Sequence, residues 1–179
     1  MQDSATSLNV GCASCARGKY NTAKGATSCT ACGPGTYTGA NGSSTCSECV
    51  SGTYASGDGA VECVACAAGK FAAQAGEIEC TACEAGYYQD KAGSTSCAAC
   101  SGLRLPGTFS TSPFTRCTIC QSGYYQVGET GNGTALCEAC SSSAKVKCFS
   151  TGVTVNNIEM EEGYYRLSVT SGVDDIREC

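Results

Sequence analysis

Cys49-Val-Ser-Gly-Thr-Tyr-Ala-Ser-Gly-Asp-Gly-Ala-Val-Glu-Cys63-Val-Ala-Cys66 is one period of a pattern that runs through most of this chain. It places Gly52 three residues after the opening cysteine, Tyr54 five after and Gly59 ten after, and it closes on a Cys-x-x-Cys pair. Eight such pairs begin at Cys12, Cys29, Cys46, Cys63, Cys80, Cys97, Cys117 and Cys137; the first six are 17 residues apart and the last two steps are 20. A fixed short period means one small unit copied in tandem, so the question is what each unit does, not where a single active site lies.

Units are counted here from the second cysteine of each pair. The first glycine recurs at Gly18, Gly35, Gly52, Gly69, Gly86 and Gly123, and the aromatic at Tyr20, Tyr37, Tyr54, Phe71, Tyr88 and Tyr125. The second glycine recurs at Gly25, Gly42, Gly59, Gly76 and Gly93. The sixth unit delays its glycine and aromatic to Gly107-Thr-Phe109, and the seventh gains three residues. The first glycine lets the chain bend after the cysteine, and the second lies among small and polar residues as in a hairpin turn. The aromatic, the only large side chain common to the units, is expected to pack over the disulfide as a miniature core.

Composition sets the same limits. There are 18 cysteines in 179 residues, a disulfide-scaffold density. Leu, Ile, Val and Phe together number only 23, and there is no Trp. Much of the 42% hydrophobic fraction is Ala and Cys, which cannot fill the core of a large globule. The expected fold is therefore small and disulfide-rich, mostly irregular with short β-hairpins, in an elongated tandem-repeat array with little or no helix. A net charge of −5 and the absence of histidine give no attraction to nucleic acid or anionic lipid.

No apolar run of about 20 residues is present, so this segment itself inserts into no membrane. The N-terminus lacks the basic and apolar regions of a secretory signal, whereas disulfides persist in oxidising compartments. The two observations are reconciled if the chain is a fragment or an incomplete gene model, and its end on Cys179 supports a cut through a longer protein.

Two pairing schemes compete. In the chained scheme each second cysteine bonds the first cysteine of the next pair: Cys15–Cys29, Cys32–Cys46, Cys49–Cys63, Cys66–Cys80, Cys83–Cys97, Cys100–Cys117 and Cys120–Cys137. Cys140–Cys148 then closes locally, and Cys12 and Cys179 are left for missing flanks. In the overlapping scheme units pair in twos, as Cys12–Cys29 with Cys15–Cys32, on to Cys148–Cys179. Doublets would impose a period of 34, but successive loops carry the same marks, and equivalent loops argue for equivalent bonds. A loop of about 15 residues closed by one bond contributes roughly 3 kcal/mol, far less than the ordering of its backbone costs. Contact between units has to supply the rest.

The unit C-x-x-C-x-x-G-x-[YF]-x4-G-x3-C resembles the cysteine-rich "ephrin type A/B receptor-like" repeat, from Cys12 to about Cys140. Such repeats occur in ephrin-receptor ectodomains and, in long arrays, in large surface proteins of protists and algae. The loop from Cys15-Ala-Arg-Gly-Lys-Tyr20 to Cys29 is also similar to the first subloop of TNF-receptor cysteine-rich domains, closed by one disulfide at this spacing. That resemblance independently favours the chained scheme. Gly163-Tyr-Tyr-Arg-Leu-Ser168 to Cys179 resembles a segment that follows such arrays. No kinase segment and no receptor ligand-binding domain accompanies these repeats.

Cys-x2-Cys-x13-Cys-x2-Cys also suits a four-thiolate zinc site, which makes an intracellular zinc-binding protein the rival reading. Against it stand eight consecutive pairs with no break into four-cysteine modules. A redox Cys-x-x-Cys would need a βαβ scaffold. Asn41-Gly-Ser43 and Asn132-Gly-Thr134 are glycosylation sequons, each with its Asn before a Gly that lies four residues ahead of the closing cysteine. Glu159, Glu161 and Glu162 read as a solvated face, and Tyr87-Tyr88, Tyr124-Tyr125 and Tyr164-Tyr165 as pairs with one ring inward. Without histidine no Ser/His/Asp or Cys/His constellation can form, so the expectation is no enzyme, no cofactor and no metal.

The reading is a non-enzymatic extracellular repeat region of a larger surface or membrane protein. It would act as a spacer and a surface for an unknown protein or glycan ligand, with a secreted matrix or cell-wall protein as the third possibility. Residues 12–140 form the array. Past Cys140 cysteines thin out and β-branched residues gather at Val153-Thr-Val155, Ile158 and Leu167-Ser-Val169, so 141–179 is expected to begin a different, strand-rich module, itself incomplete.

Overall fold

A computed structural model describes residues 14–23, 26–103, 105–140, 145–166 and 176–178. Among the described residues the elements are two-stranded antiparallel hairpins and one short 3-10 turn at Cys100–Leu103. In each regular unit the residues at the aromatic and just before it pair with the two residues inside the next Cys-x-x-Cys. Thr53 faces Ala65 and Tyr54 faces Val64, as Thr36 faces Glu48 and Tyr37 faces Ser47. The hairpin of one unit thus ends on the cysteine that starts the next.

The bend after the opening cysteine is a turn closed by Thr53 N–H to Val50 O at 3.0 Å, with Gly52 at φ +85° in its third position. That is the site where a type II turn demands a positive φ. The second unit places Pro34 at the preceding position, where the fixed φ of proline suits the same turn.

Among the described residues there are eight disulfides: Cys15–Cys29, Cys32–Cys46, Cys49–Cys63, Cys66–Cys80, Cys83–Cys97, Cys100–Cys117, Cys120–Cys137 and Cys140–Cys148. This is the chained arrangement. Cys12 and Cys179 lie outside the described residues, as do Gly25 and the Leu167–Val169 stretch.

Backbone hydrogen bonds join each unit to the next. The first glycine donates to the residue after the next unit's aromatic: Gly35 N–H to Ala55 O at 2.7 Å and Gly52 N–H to Ala72 O at 2.8 Å. The residue after the aromatic donates onward, as Thr38 N–H to Ala60 O at 3.1 Å and Ala55 N–H to Glu77 O at 3.2 Å. The second glycine donates back, as Gly59 N–H to Cys32 O at 2.7 Å and Gly76 N–H to Cys49 O at 2.8 Å. Three such bonds contribute about 1.5–4.5 kcal/mol net per junction, comparable to one disulfide.

Contact also skips a unit. A Cβ built on Gly18, Gly35 or Gly52 would fall inside the carbonyl oxygen of Gly59, Gly76 or Gly93 respectively, each two units on. In the irregular sixth unit the Pro113 carbonyl takes that place against Gly69. Further along, rings cover the first glycine: Phe109 lies over Gly86 and Tyr124 over Gly107.

The core differs from the expected one. The buried positions are the second cysteines (Cys15, Cys32, Cys49, Cys66, Cys83 and Cys100) and the residue after the aromatic, namely Thr38, Ala55, Ala72 and Ser110. The aromatics Tyr20, Tyr37, Tyr54, Phe71 and Tyr88 are only half-buried. Where backbones meet at hydrogen-bonding distance there is room for a methyl or a hydroxyl but not for a ring. Where an amide stands at the position after the aromatic, it braces its own loop: Gln89 Nε2 donates to Ser96 O at 2.8 Å, and Asn21 Nδ2 to Ser28 O.

Composition changes at Cys140, but the docking pattern continues across it. Gly123 N–H donates to Cys148 O, Gln126 N–H to Val153 O, and Gly152 N–H back to Cys120 O, at 2.7–2.8 Å. Val146 and Lys147 pair with Met160 and Glu159 as the short strands do elsewhere. Lys145, at φ +52°, stands where a first glycine would. An apolar cluster of Tyr125, Val146, Cys148, Val153 and Ile158, with Met160 against it, packs where the regular units have a closing disulfide. Tyr164–Arg166 and Ile176–Glu178 form a last hairpin.

Candidate functional site

The disulfide ladder leaves side chains at equivalent positions of successive units in rows along the array. One row is the half-buried aromatics, and beside it residues Lys19, Thr36, Thr53, Lys70 and Tyr87 change character from unit to unit. Tyr87 is 45% exposed while Tyr88 is half-buried, and Tyr125 is buried beside a half-buried Tyr124. In each of these two pairs the second ring is the more buried, and the side chain of Tyr165 lies outside those described. The Tyr125 hydroxyl donates to Glu138 Oε2 at 2.6 Å.

Between the fourth and fifth units these rows enclose a shallow cleft of about 250 Å³. Phe71 and Tyr87 line it, with the Cys83–Cys97 disulfide, Thr81, Ala82, Glu84 and Ser96. Two ring surfaces with a few hydrogen-bonding groups at the margin can hold one apolar side chain or one sugar ring. Val50, Val64 and Ile78 add exposed apolar surface in the third and fourth units, at 68%, 54% and 53% exposure. Phe149, 84% exposed, stands on the far side of Cys140 in sequence.

Neither the cleft nor this apolar set was anticipated from sequence. The signal that could have shown them is deviation from the repeat: Val50 replaces the Ala, Gly or Glu of the other regular units, and Val64 their Thr, Ser or Ala.

The cysteines that could have ligated zinc are all in disulfides among the described residues, so they have no thiolate to offer as ligand or nucleophile. Among the described residues no cluster of three or more ligating side chains occurs. The acidic trio is partly engaged: Lys145 Nζ is 4.0 Å from Glu161 Oε2 and lies over the Tyr164 ring at 5.3 Å, while Glu159 and Glu162 are exposed. Among the described residues no helix is long and apolar enough to cross a membrane.

Both sequon asparagines are exposed, and each precedes a glycine at φ +71°. Their surroundings differ. Asn41 Oδ1 accepts the Arg17 backbone N–H at 3.1 Å across the junction of the first two units. Asn132 sits at the tip of the hairpin formed by Tyr124–Glu129 and Ala135–Ala139.

No curated protein matches the chain. The family described as tyrosine-protein kinase ephrin type A/B receptor-like matches it three times in tandem, over residues 4–44, 35–77 and 69–105. These matches span more than half of the chain, and each covers about two of the 17-residue periods.

Proposed function

We propose, from the premise that this chain belongs to the ephrin type A/B receptor-like family, that it is a non-enzymatic extracellular repeat region of a larger surface or membrane protein. It serves as a spacer and as an interaction surface for a protein or glycan. The eight disulfides and the family fit an extracellular repeat region, since such bonds persist where the environment is oxidising. The observation that supports the spacer role most is the repeated junction. Three backbone bonds per step among the first five units, and skip contacts from each of the first four units to the unit two further on, suit a semi-rigid array. The cleft at Phe71 and Tyr87, with Val50, Val64 and Ile78 nearby in the array, is the surface best suited to a partner.

The test is thiol counting and metal analysis on the chain expressed through a eukaryotic secretory pathway behind an added signal. Near-zero free thiols, no bound zinc, and the bonds Cys49–Cys63 and Cys66–Cys80 in non-reducing peptide maps are expected. Stoichiometric zinc on reduced cysteines would overturn the reading in favour of an intracellular zinc protein.

A further inference from the structure

Two sequons of the same form occupy two different mechanical situations. Around Asn41 the bonds cross a unit junction. Arg17 N–H reaches Asn41 Oδ1 at 3.1 Å, Gly42 N–H reaches Cys15 O at 2.7 Å, and Asn21 N–H reaches Ser43 O at 3.1 Å. The Ser43 hydroxyl is also occupied, 2.6 Å from the Thr38 hydroxyl and donating to Ala40 O at 3.0 Å. Lifting residues 41–43 from the surface therefore means undocking the first unit from the second.

Around Asn132 the bonds are local. Gly133 N–H donates to Thr130 O at 2.9 Å, Thr130 N–H to Thr134 O at 2.8 Å, and Thr134 N–H to Thr130 Oγ1 at 3.1 Å. All lie within five residues of one hairpin tip. A Cβ at the adjacent Gly131 would meet nothing within 4 Å. Among the described residues the Asn132 amide itself forms no hydrogen bond. Residues 130–134 can open above the Ala135 N–H to Cys117 O bond at 2.9 Å that ties the hairpin to the sixth unit, with only the flexible Arg116 guanidinium near Gly133.

We propose that Asn132 is the N-glycan acceptor of this chain, and that Asn41 is held as a junction cap and stays largely unmodified. The proposal rests on the extracellular reading above. The co-substrate is a polyprenyl-pyrophosphate-linked oligosaccharide. Asn132 Nδ2 attacks its anomeric carbon; the N–C bond forms and the C–O bond to pyrophosphate breaks. The nitrogen gives up one proton to the transferase, and polyprenyl pyrophosphate leaves. A glycan there projects from the hairpin tip and leaves every unit junction intact.

The experiment uses the secreted full chain. Enzymatic release of glycans in 18O-water marks each formerly occupied Asn as labelled Asp, read by peptide mass spectrometry. Occupancy at Asn132 is expected to exceed that at Asn41 by at least about five-fold, the sense set by their different costs of local opening. Thr134→Ser gives both sequons the same hydroxyl residue, and the ranking is expected to hold in it. Equal or inverted occupancy in either protein would overturn the proposal. A secreted, fully disulfide-bonded chain bare at Asn132 would overturn it while leaving the extracellular reading intact. Retention in the cell with free thiols would overturn both.

Discussion

Gly52→Ala is expected to unseat three units at once. The residue sits at φ +85°, a conformation that costs a side-chain-bearing residue on the order of 1–2 kcal/mol. The new methyl would also occupy the position of the Gly93 carbonyl oxygen, which belongs to the backbone of the fifth unit. Backbone cannot swing aside as a flexible side chain does. The junctions between the third and fourth and between the fourth and fifth units must therefore shift, or the fifth unit must lift away. Strain and overpacking together give an expected loss of about 2–6 kcal/mol. Hydrogen exchange should show it at the Gly52 amide, which donates to Ala72, and at the Gly93 amide, which donates to Cys66. Gly57→Ala is the control, since a methyl there meets nothing within 4 Å and its backbone is not in the left-handed region. Its effect should be small, within about 1 kcal/mol and of stabilising sign if any. Equal loss in both variants would mean that the skip contact does not hold the array together.

Removing the Cys49–Cys63 bond with the paired change Cys49→Ser and Cys63→Ser is expected to cost about 2–5 kcal/mol. Its spread follows the junctions. Loss of protection is expected first within the third unit, then at the Gly35 and Gly59 amides that dock it on the second. Weaker effects should reach the first and fifth units through Gly18 with Gly59 and Gly52 with Gly93. The Tyr124–Glu129 and Ala135–Ala139 hairpin should keep its protection, because no skip contact reaches it from the third unit. Cys140→Ser with Cys148→Ser should cost less than the third-unit pair, since the bond closes a shorter loop and Tyr125, Val146, Val153 and Ile158 add apolar packing beside Cys148. Uniform unfolding of the whole chain in the third-unit variant would contradict an array whose contacts reach no further than two units.

The reading of the aromatic shows how far sequence could go. Its recurrence was visible, but recurrence does not say which face a side chain occupies. The structure buries its neighbour instead: Ala55 and Ala72 are 5% and 2% exposed, while the rings flank them half-buried. A run of Asn21, Thr38, Ala55, Ala72, Gln89 at that position looks featureless, because what is required there is small volume or a bracing amide, not one residue type. The first glycine was read as a bend and is one, yet a bend alone explains only its φ.

The continuation past Cys140 was hidden for a related reason. The repeat grammar was written in cysteines, whereas the junctions are written in backbone donors and acceptors, which Lys145, Cys148 and Gly152 supply without the usual spacing of sulfur.

Period, cysteine density and the Gly-x-aromatic mark by themselves determine a tandem disulfide-rich array of short hairpins with little helix. These are local properties, set by covalent spacing and by the φ each turn requires. The skip from Gly52 to Gly93, the sulfur-and-methyl core, the cleft between Phe71 and Tyr87, and the unequal settings of Asn41 and Asn132 came only with the folded units in place. Each depends on where one unit's backbone lies relative to another one or two periods away, and that relation arises from packing between chain segments that no single repeat contains.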